Sequence, residues 1–173
     1  MVISQWWLPA RDGHHSDFTT LQHYNFTTTH MEPLTLKTTI TFDEPIAKVW
    51  KGLTDPALVK QYFFGTNLSS DFKKGSRITF SGEWEGKTYT DGGTILEIDP
   101  PRLLKYTYWS SMSGTEDKPE NYNNITYELH EQEGVTVLVI TQDGVKNEQA
   151  KEHSEQNWQS VFGGLKDLLK KEH

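Results

Sequence analysis

The stretch GGTILEIDPPRLLKYTY, residues 92–108, holds two apolar segments separated by a double proline. Proline has no backbone N–H to donate to a β-ladder, so the pair predicts that one strand ends and a second begins here. In the second segment Lys105 and Thr107 alternate with larger residues, which is typical of a strand with one face in water. Tyr106 and Tyr108 are therefore expected to lie together on the opposite, inward face.

Segments with the same alternation flank two turn signals, Glu85-Gly86 and Glu133-Gly134. Both pairs of segments are expected to form hairpins, because such dipeptides suit tight turns between strands. Upstream, LTLKTTITF (residues 34–42) alternates apolar residues with lysine and threonine, which predicts a first strand. The chain is thus expected to form this early strand and about six later ones.

Helices are expected between the first strand and the hairpins, and again at the end of the chain. Asp43 and Asp55 are candidate N-caps of two short helices, and Gly65 is expected to end the second. Residues 147–171 contain no proline, and their apolar side chains recur at helical spacing. They predict one long amphipathic helix, whose apolar stripe is Ala150, Trp158, Val161, Phe162, Leu165, Leu168 and Leu169.

The order of these elements predicts an α+β fold. Consecutive strands linked by hairpins form an antiparallel sheet, and its apolar face must be covered. Among the expected elements, the long C-terminal helix is the one large enough to cover it. We therefore expect a curved sheet wrapped around this helix, with a concave space between them.

Composition excludes several classes of protein. The 173 residues suit one domain, and the formal charge of −7 argues against nucleic acid as a partner. The chain has no cysteine, so disulfides and thiolate chemistry are excluded. Apolar runs are too short for a membrane-spanning helix, and a basic region typical of an export signal is missing from the start. These features predict a cytoplasmic protein that does not insert into membranes.

The first part of the sequence differs from the rest. Residues 1–32 are rich in threonine and histidine and lack sustained periodicity, so they are interpreted as a flexible extension ahead of a domain over residues 33–173. Met31 is a candidate natural start. The spacing of the histidines in this segment matches no metal-ligand motif, and we predict no metal or cofactor site at His14, His15, His23 or His30.

Period-two alternation in the strands and helical spacing in the helices predict which side chains face the interior. An unusual share of them is aromatic, and several carry a polar group that needs a partner when buried. Two interpretations remain open, a core filled with rings or an amphipathic cavity for a ligand. The candidate cavity-lining residues are Trp50, Phe63, Phe80, Trp84, Leu96, Tyr106, Tyr108, Tyr127, Trp158 and Phe162.

Three stretches in order carry a family resemblance: TFDEPIAKVWKGLTDPALVKQYF (41–63), GGTILEIDPPRLLKYTY (92–108) and NWQSVFGGLKDLL (157–169). Together they resemble the START-like, or SRPBCC, superfamily. Within it they are most similar to the group named after the activator of the ninety-kilodalton heat-shock protein ATPase. The resemblance implies a helix-grip fold, like that of the birch-pollen allergen, and a cavity for apolar or amphipathic ligands. It leaves the chemistry open, because the superfamily includes lipid carriers, hormone receptors, polyketide cyclases and co-chaperones.

Three functions are therefore weighed. The favoured one is non-catalytic binding of a small hydrophobic or amphipathic ligand between the sheet and the C-terminal helix. A co-chaperone-like role with a chaperone partner is the alternative, although the N-terminal extension is too short to be a separate chaperone-binding domain. A polyketide cyclase or dehydratase is the third, in which Tyr106, Tyr108 and Tyr127 would supply the polar groups.

The positions of the acid–base residues favour the binder over the enzyme. General acid–base catalysis needs a histidine or carboxylate within reach of a substrate. Alternation places Glu128 and His130 on the outer face of the sheet, and helical spacing places His153 beside the apolar stripe. The sequence shows no Ser-His-Asp order and no glycine-rich phosphate loop.

Overall fold

A computed structural model of the chain describes residues 32–172. In this part of the chain seven antiparallel strands form one sheet in the order β1-β7-β6-β5-β4-β3-β2. The strands are β1 Leu34–Phe42, β2 Asn67–Ser70, β3 Arg77–Trp84, β4 Lys87–Asp99, β5 Leu103–Tyr108, β6 Asn123–Gln132 and β7 Val135–Val145. The helices are α1 Ile46–Thr54, α2 Pro56–Tyr62 and α3 Glu148–Lys171. The predicted α+β arrangement, two short helices after β1 and a long C-terminal helix against a curved sheet, is confirmed.

The predicted flexible extension of residues 1–32 lies outside the described residues, except for Glu32. The same holds for the candidate start at Met31 and for the four histidines of that segment. The boundary at residue 33 therefore stays a prediction.

Side-chain caps determine where the second and third helices begin. Asp55 accepts a hydrogen bond from the Ala57 N–H at 2.9 Å, and Pro56 occupies the first helical position. Asn147 accepts one from the Ala150 N–H at 2.8 Å. Each cap satisfies one of the backbone donors that a helix start leaves unpaired. The sequence-based expectation for Asp55 is confirmed.

The first helix begins differently, and the expectation that Asp43 caps it is wrong. The N-cap of α1 is Pro45, which has no side chain able to accept a hydrogen bond. The N–H of Ile46 instead donates to Oε2 of Glu131 at 2.7 Å. Because Glu131 lies on β6, 85 residues further along the chain, this cap depends on the tertiary fold.

Two predicted hairpin turns are confirmed. Glu85 and Gly86 join β3 to β4, and Glu133 and Gly134 join β6 to β7, all with positive φ. Positive φ at both central residues is the mark of a type I′ turn, whose twist matches that of the flanking strands. Strand β2 was not anticipated, because four residues are too few to show a period.

A β-bulge overturns one predicted orientation. Ile95 of β4 pairs with Tyr106, but the next pair is Glu97 with Lys105, so the register shifts at Leu96. The extra residue reverses the alternation, which puts Ile95 in the core and leaves Leu96 37% exposed. The expectation that Leu96 points inward is therefore wrong, and Ile95 takes that place.

The concave face of the sheet and the apolar face of α3 enclose one hydrophobic core. Lys48 of α1 holds the end of α3, because its Nζ donates to the Leu169 carbonyl at 2.8 Å and to Glu44 Oε2 at 3.0 Å. A lysine at a helix C-terminus satisfies an unpaired carbonyl and complements the helix dipole. The buried residues of α3 are Ser154, Asn157, Trp158, Val161, Phe162, Leu165 and Leu169.

Candidate functional site

A chain of aromatic rings runs through the interior between sheet and helix. The Trp158 ring stacks on Phe162 with centroids 5.5 Å apart and planes 5° from parallel. Tyr127 meets both of these rings edge-on, at 5.9 and 5.6 Å. Tyr106 lies 5.7 Å from Tyr127, and Phe80 lies 5.8 Å from Tyr106. The inward orientation predicted for these five side chains is confirmed, since all are buried.

The polar groups of these rings find protein partners. The hydroxyls of Tyr106 and Tyr127 are 2.9 Å apart and share a hydrogen bond. The Trp158 Nε1–H donates to Oε1 of Gln142 at 2.9 Å. The Tyr108 hydroxyl donates to Oδ2 of Asp91, also at 2.9 Å. In the structure described, these polar groups are therefore bonded to other protein groups.

The space left between the rings is small. A cavity of about 10 Å³ lies between β3, β5, β6 and the two short helices, which is room for about one water molecule. Pockets that hold drug-sized ligands measure about 300–1,000 Å³. Of the two sequence-based interpretations, the structure described matches a ring-filled core. The cavity is lined by Leu53, Val59, Tyr62, Phe63, Leu68, Ile78, Phe80, Leu104, Tyr106 and Tyr127.

The structure brings together most of the candidate cavity residues, but not all. Phe63 is buried beside Phe80, with ring centroids 6.0 Å apart, and Trp50 packs on the core while partly exposed. Trp84, at the end of β3, is half-buried and does not belong to the core cluster of residues 32–172. Leu96 lies on the outer side of the bulge.

Tyr62 forms the wall between this cavity and the protein surface. Its ring lines the inner cavity and also lines an open groove of about 510 Å³ between α2 and α3. The Tyr62 hydroxyl donates to the Gly52 carbonyl at 2.9 Å, which holds the ring in place. The groove is lined by Gln61, Tyr62, Phe64, Ser160, Gly164, Asp167, Leu168 and Lys171. Tyr62 was not a candidate from sequence, because a helix of seven residues shows too little periodicity to assign its inward face.

Asp91 is a buried carboxyl group that the sequence-based candidates lacked. Its Oδ1 accepts hydrogen bonds from the Ser111 N–H at 2.9 Å and the Ser111 hydroxyl at 3.0 Å. Burial raises the pKa of Asp91, and the hydrogen bonds from Ser111 and Tyr108 oppose that rise. The alternation of Tyr89 and Asp91 with outward threonines is a signal that could have placed this carboxyl inside.

The interior tyrosines are poor proton acceptors. Burial raises the pKa of Tyr62, Tyr106, Tyr108 and Tyr127 above the ordinary value for tyrosine. Their hydroxyls therefore stay protonated at neutral pH and act as hydrogen-bonding groups. A general base must instead be poised near the working pH.

Asn157 departs from the rule that buried polar groups are paired. The residue is 5% exposed, and its Nδ2 has no hydrogen-bond partner among residues 32–172. Leaving a buried donor unpaired costs about 1–3 kcal/mol. Asn157 was also absent from the sequence-based candidates, although it lies four residues before Val161 of the apolar stripe, which a helix places on the same face.

Within residues 32–172 no group of three histidine, aspartate or glutamate side chains is placed to hold a metal ion. In the same part of the chain, no helix combines the length and the apolar composition needed to cross a membrane.

Comparison with known proteins places this architecture in a family. Residues 43–170 match the family described as activator of Hsp90 ATPase homolog 1-like protein. The chain belongs to this family. A solved member of the same fold is ChR145 from Cytophaga hutchinsonii, 38% identical, with a TM-score of 0.73 over 82% of this chain and 97% of that one. The resemblance to the START-like superfamily noted from sequence is confirmed.

More distant structures share the fold alone. Protein MLL2253 from Mesorhizobium loti is 24% identical, with a TM-score of 0.62, and the match covers 80% of this chain and 98% of that one. The Aha1 dimer from Colwellia psychrerythraea is 17% identical, with a TM-score of 0.61, and the match covers 79% of this chain and 96% of that one. No curated protein matches the chain significantly.

Proposed function

We propose that the protein binds a small hydrophobic or amphipathic molecule between the sheet and α3, without catalysing its conversion. The observation that carries this proposal is the position of Tyr62, which among residues 32–172 is the one that lines both the inner cavity and the outer groove. Movement of this ring would join the two spaces. The resemblance to the START-like superfamily, which implies a cavity for apolar or amphipathic ligands, supports the same proposal.

The segment around Tyr62 is suited to such a movement. Helix α2 has seven residues, and a helix this short gains little stability on its own. Phe64 and Gly65, which follow it, both have positive φ, a conformation that costs energy for a phenylalanine. Opposite Tyr62, Gly164 of α3 has no side chain, so no side chain of α3 at this position interlocks with Tyr62.

The interior has the composition of a binding site for such a ligand. Aromatic rings line it, and apolar molecules gain free energy by packing against surface that is removed from water. Because these rings fill the interior, a ligand must displace them in order to bind. Association should therefore be slower than for a pre-formed pocket.

A fluorescence titration with N-phenyl-1-naphthylamine, a neutral probe that brightens in apolar surroundings, tests the proposal. We expect a saturable signal with one probe per chain and a rise in Tm with probe concentration. Tyr62→Phe removes the hydrogen bond to Gly52 and should increase the association rate. Tyr122→Phe is the matched control, because it removes a surface hydrogen bond to Asp117 of 2.6 Å.

Two results would count against the proposal. One is the absence of saturable binding by this probe, together with no lipid or aromatic compound retained by the purified protein in native mass spectrometry. The other is an association rate that Tyr62→Phe and Tyr122→Phe leave equally unchanged, which would exclude the route past Tyr62.

The second candidate is a role as a chaperone partner. The family description favours it, and so does Phe64, which is 44% exposed at the rim of the groove between α2 and α3. An exposed aromatic residue beside a groove is typical of a protein contact site. Pull-down with a purified Hsp90-type chaperone, compared between the natural chain and Phe64→Ser, tests this role.

A further inference from the structure

The unpaired amide of Asn157 points to the chemistry of the ligand. We infer that Asn157 Nδ2 donates a hydrogen bond to a neutral carbonyl group at one end of a small, otherwise apolar ligand. This inference rests on the proposed function. It deepens that proposal by naming the polar group that the site recognises.

The position of Asn157 in α3 directs its amide toward the interior. Ser154 and Val161, one turn away on either side, are both buried, so this face of the helix packs on the sheet. The polar group of the neighbouring residue has a partner, because Trp158 Nε1–H donates to Gln142. A buried donor without a partner is rare in folded proteins, and a bound molecule is one explanation for it.

Asn157 lies two helical turns from the place where α3 contacts Tyr62. A Cβ built on Gly164 would lie 3.5 Å from the Cβ of Tyr62, so Gly164 marks where α3 meets the wall of the cavity. Asn157 precedes Gly164 by seven residues, which is two helical turns or about 10 Å along nearly the same line of the helix. A molecule of two fused rings that passes Tyr62 could therefore reach Asn157 with its far end.

The ring next to Asn157 connects it to the inner cavity. Trp158 meets Tyr127 edge-on at 5.9 Å, and Tyr127 lines the cavity. The apolar body of the ligand would contact these rings, while its polar end would face the amide. Because an N–H group donates, that polar end must be an acceptor.

Buried charge selects a neutral acceptor over an anionic one. Among the described residues the buried carboxyl groups are those of Glu44 and Asp91, and no lysine or arginine is buried. A carboxylate moved into this interior would lose its hydration without gaining an opposite charge. Nearby residues of α3 include Glu152 and Glu155, which add negative potential. A ketone, ester or amide carbonyl carries no net charge. It therefore avoids both the loss of a charged group's hydration and the repulsion by the nearby carboxylates.

Three naphthalene derivatives of nearly equal shape test the inference on the full chain. They are 2-acetylnaphthalene with a ketone, 2-isopropenylnaphthalene with a CH₂ group in place of the oxygen, and 2-naphthoate with a carboxylate. We expect the ketone to bind about threefold to tenfold more tightly than the hydrocarbon, the effect of one neutral hydrogen bond. The carboxylate is expected to bind most weakly.

Asn157→Leu keeps the shape of the side chain and removes its donor, so the preference for the ketone should disappear while the hydrocarbon still binds. Gln156→Leu, at the adjacent exposed position of α3, is the control and should leave the preference unchanged. The infrared carbonyl band of the bound ketone should move to lower frequency in the natural chain and not in Asn157→Leu.

The other possible results contradict either this inference alone or the proposed function as well. If ketone and hydrocarbon bind the natural chain equally, the amide of Asn157 bonds to water instead, and the inference fails while the proposed function stands. If the preference for the ketone survives in Asn157→Leu, another donor bonds to the carbonyl, and the inference fails. If none of the three compounds binds, the proposed function fails and the inference fails with it.

Discussion

The hydroxyl groups of Tyr106 and Tyr127 lie 2.9 Å apart and share one hydrogen bond in the middle of the core. The two residues occupy adjacent strands, β5 and β6, and point to the same face of the sheet. Each hydroxyl therefore has a hydrogen-bond partner without a ligand. A ligand that enters this space finds these two polar groups bonded to each other.

This pairing predicts the result of a double-mutant cycle. Tyr106→Phe or Tyr127→Phe alone leaves the other hydroxyl buried and unpaired, which should lower the free energy of unfolding by about 1–3 kcal/mol. The double variant removes both groups and should be less destabilised than the sum of the single variants. Urea denaturation measures all four proteins. Strictly additive losses would show that the two hydroxyls do not depend on each other.

Trp158→Ala tests how tightly the core is packed. The ring is 1% exposed, stacks on Phe162 and donates to Gln142, so its removal leaves a cavity and an unpaired amide. We expect a loss of about 3–5 kcal/mol in the free energy of unfolding. Trp109→Ala, which removes a half-buried ring outside the core cluster, should cost clearly less. Equal losses for the two variants would contradict the packed core.

Asp91→Asn should change how stability depends on pH. Because burial raises the pKa of Asp91 in the folded protein, the folded state holds the proton to higher pH than the unfolded state does. The contribution of Asp91 is therefore most favourable at low pH. It declines as pH rises from about 4, where an unfolded aspartate ionises, through the raised pKa of the folded protein.

The measurement is the free energy of unfolding at several pH values for both proteins. The natural chain should lose stability relative to Asp91→Asn across this window, and the difference should then level off. A difference that grows in favour of the natural chain as pH rises would mean that the hydrogen bonds from Ser111 and Tyr108 outweigh burial.

Two glycines in helices should respond in opposite ways to alanine. A Cβ added at Gly163 of α3 meets open space, so Gly163→Ala should stabilise the protein by about 0.5–1 kcal/mol through helix propensity. A Cβ added at Gly52 of α1 would lie 2.6 Å from Cδ1 of Leu165. Gly52→Ala should therefore gain less than Gly163→Ala or destabilise the protein, as thermal unfolding would show. The reverse order would contradict the close packing of α1 on α3.

Sequence periodicity predicted the fold because most of the signals that indicate strands and helices are local. Alternation in β5 and β6 correctly placed Tyr106 and Tyr127 inside, and Asp55 correctly capped α2. It failed at Leu96, because a bulge changes the register without a clear mark in the sequence. The helix cap expected at Asp43 was also wrong, because the cap of α1 comes from Glu131 on a distant strand.

The site was less predictable than the fold for a physical reason. An inward-facing ring has the same sequence pattern whether it packs on another ring or lines a cavity, so alternation could not separate the two. Tyr62 and Asn157 are candidates because of their three-dimensional surroundings. Tyr62 separates the cavity from the groove, and the Nδ2 of Asn157 lies where no described residue bonds to it. Helical spacing could place Asn157 on the buried face, but only the three-dimensional contacts reveal that its Nδ2 has no partner in the described part of the chain.

The most direct test of ligand binding in the interior is an NMR measurement of contacts between N-phenyl-1-naphthylamine and the methyl groups of the full chain. Binding between sheet and helix predicts intermolecular nuclear Overhauser effects to Val59, Ile78 and Leu104, which line the inner cavity. Effects confined to Leu168, in the outer groove, or no effects at saturating probe would contradict binding between sheet and helix.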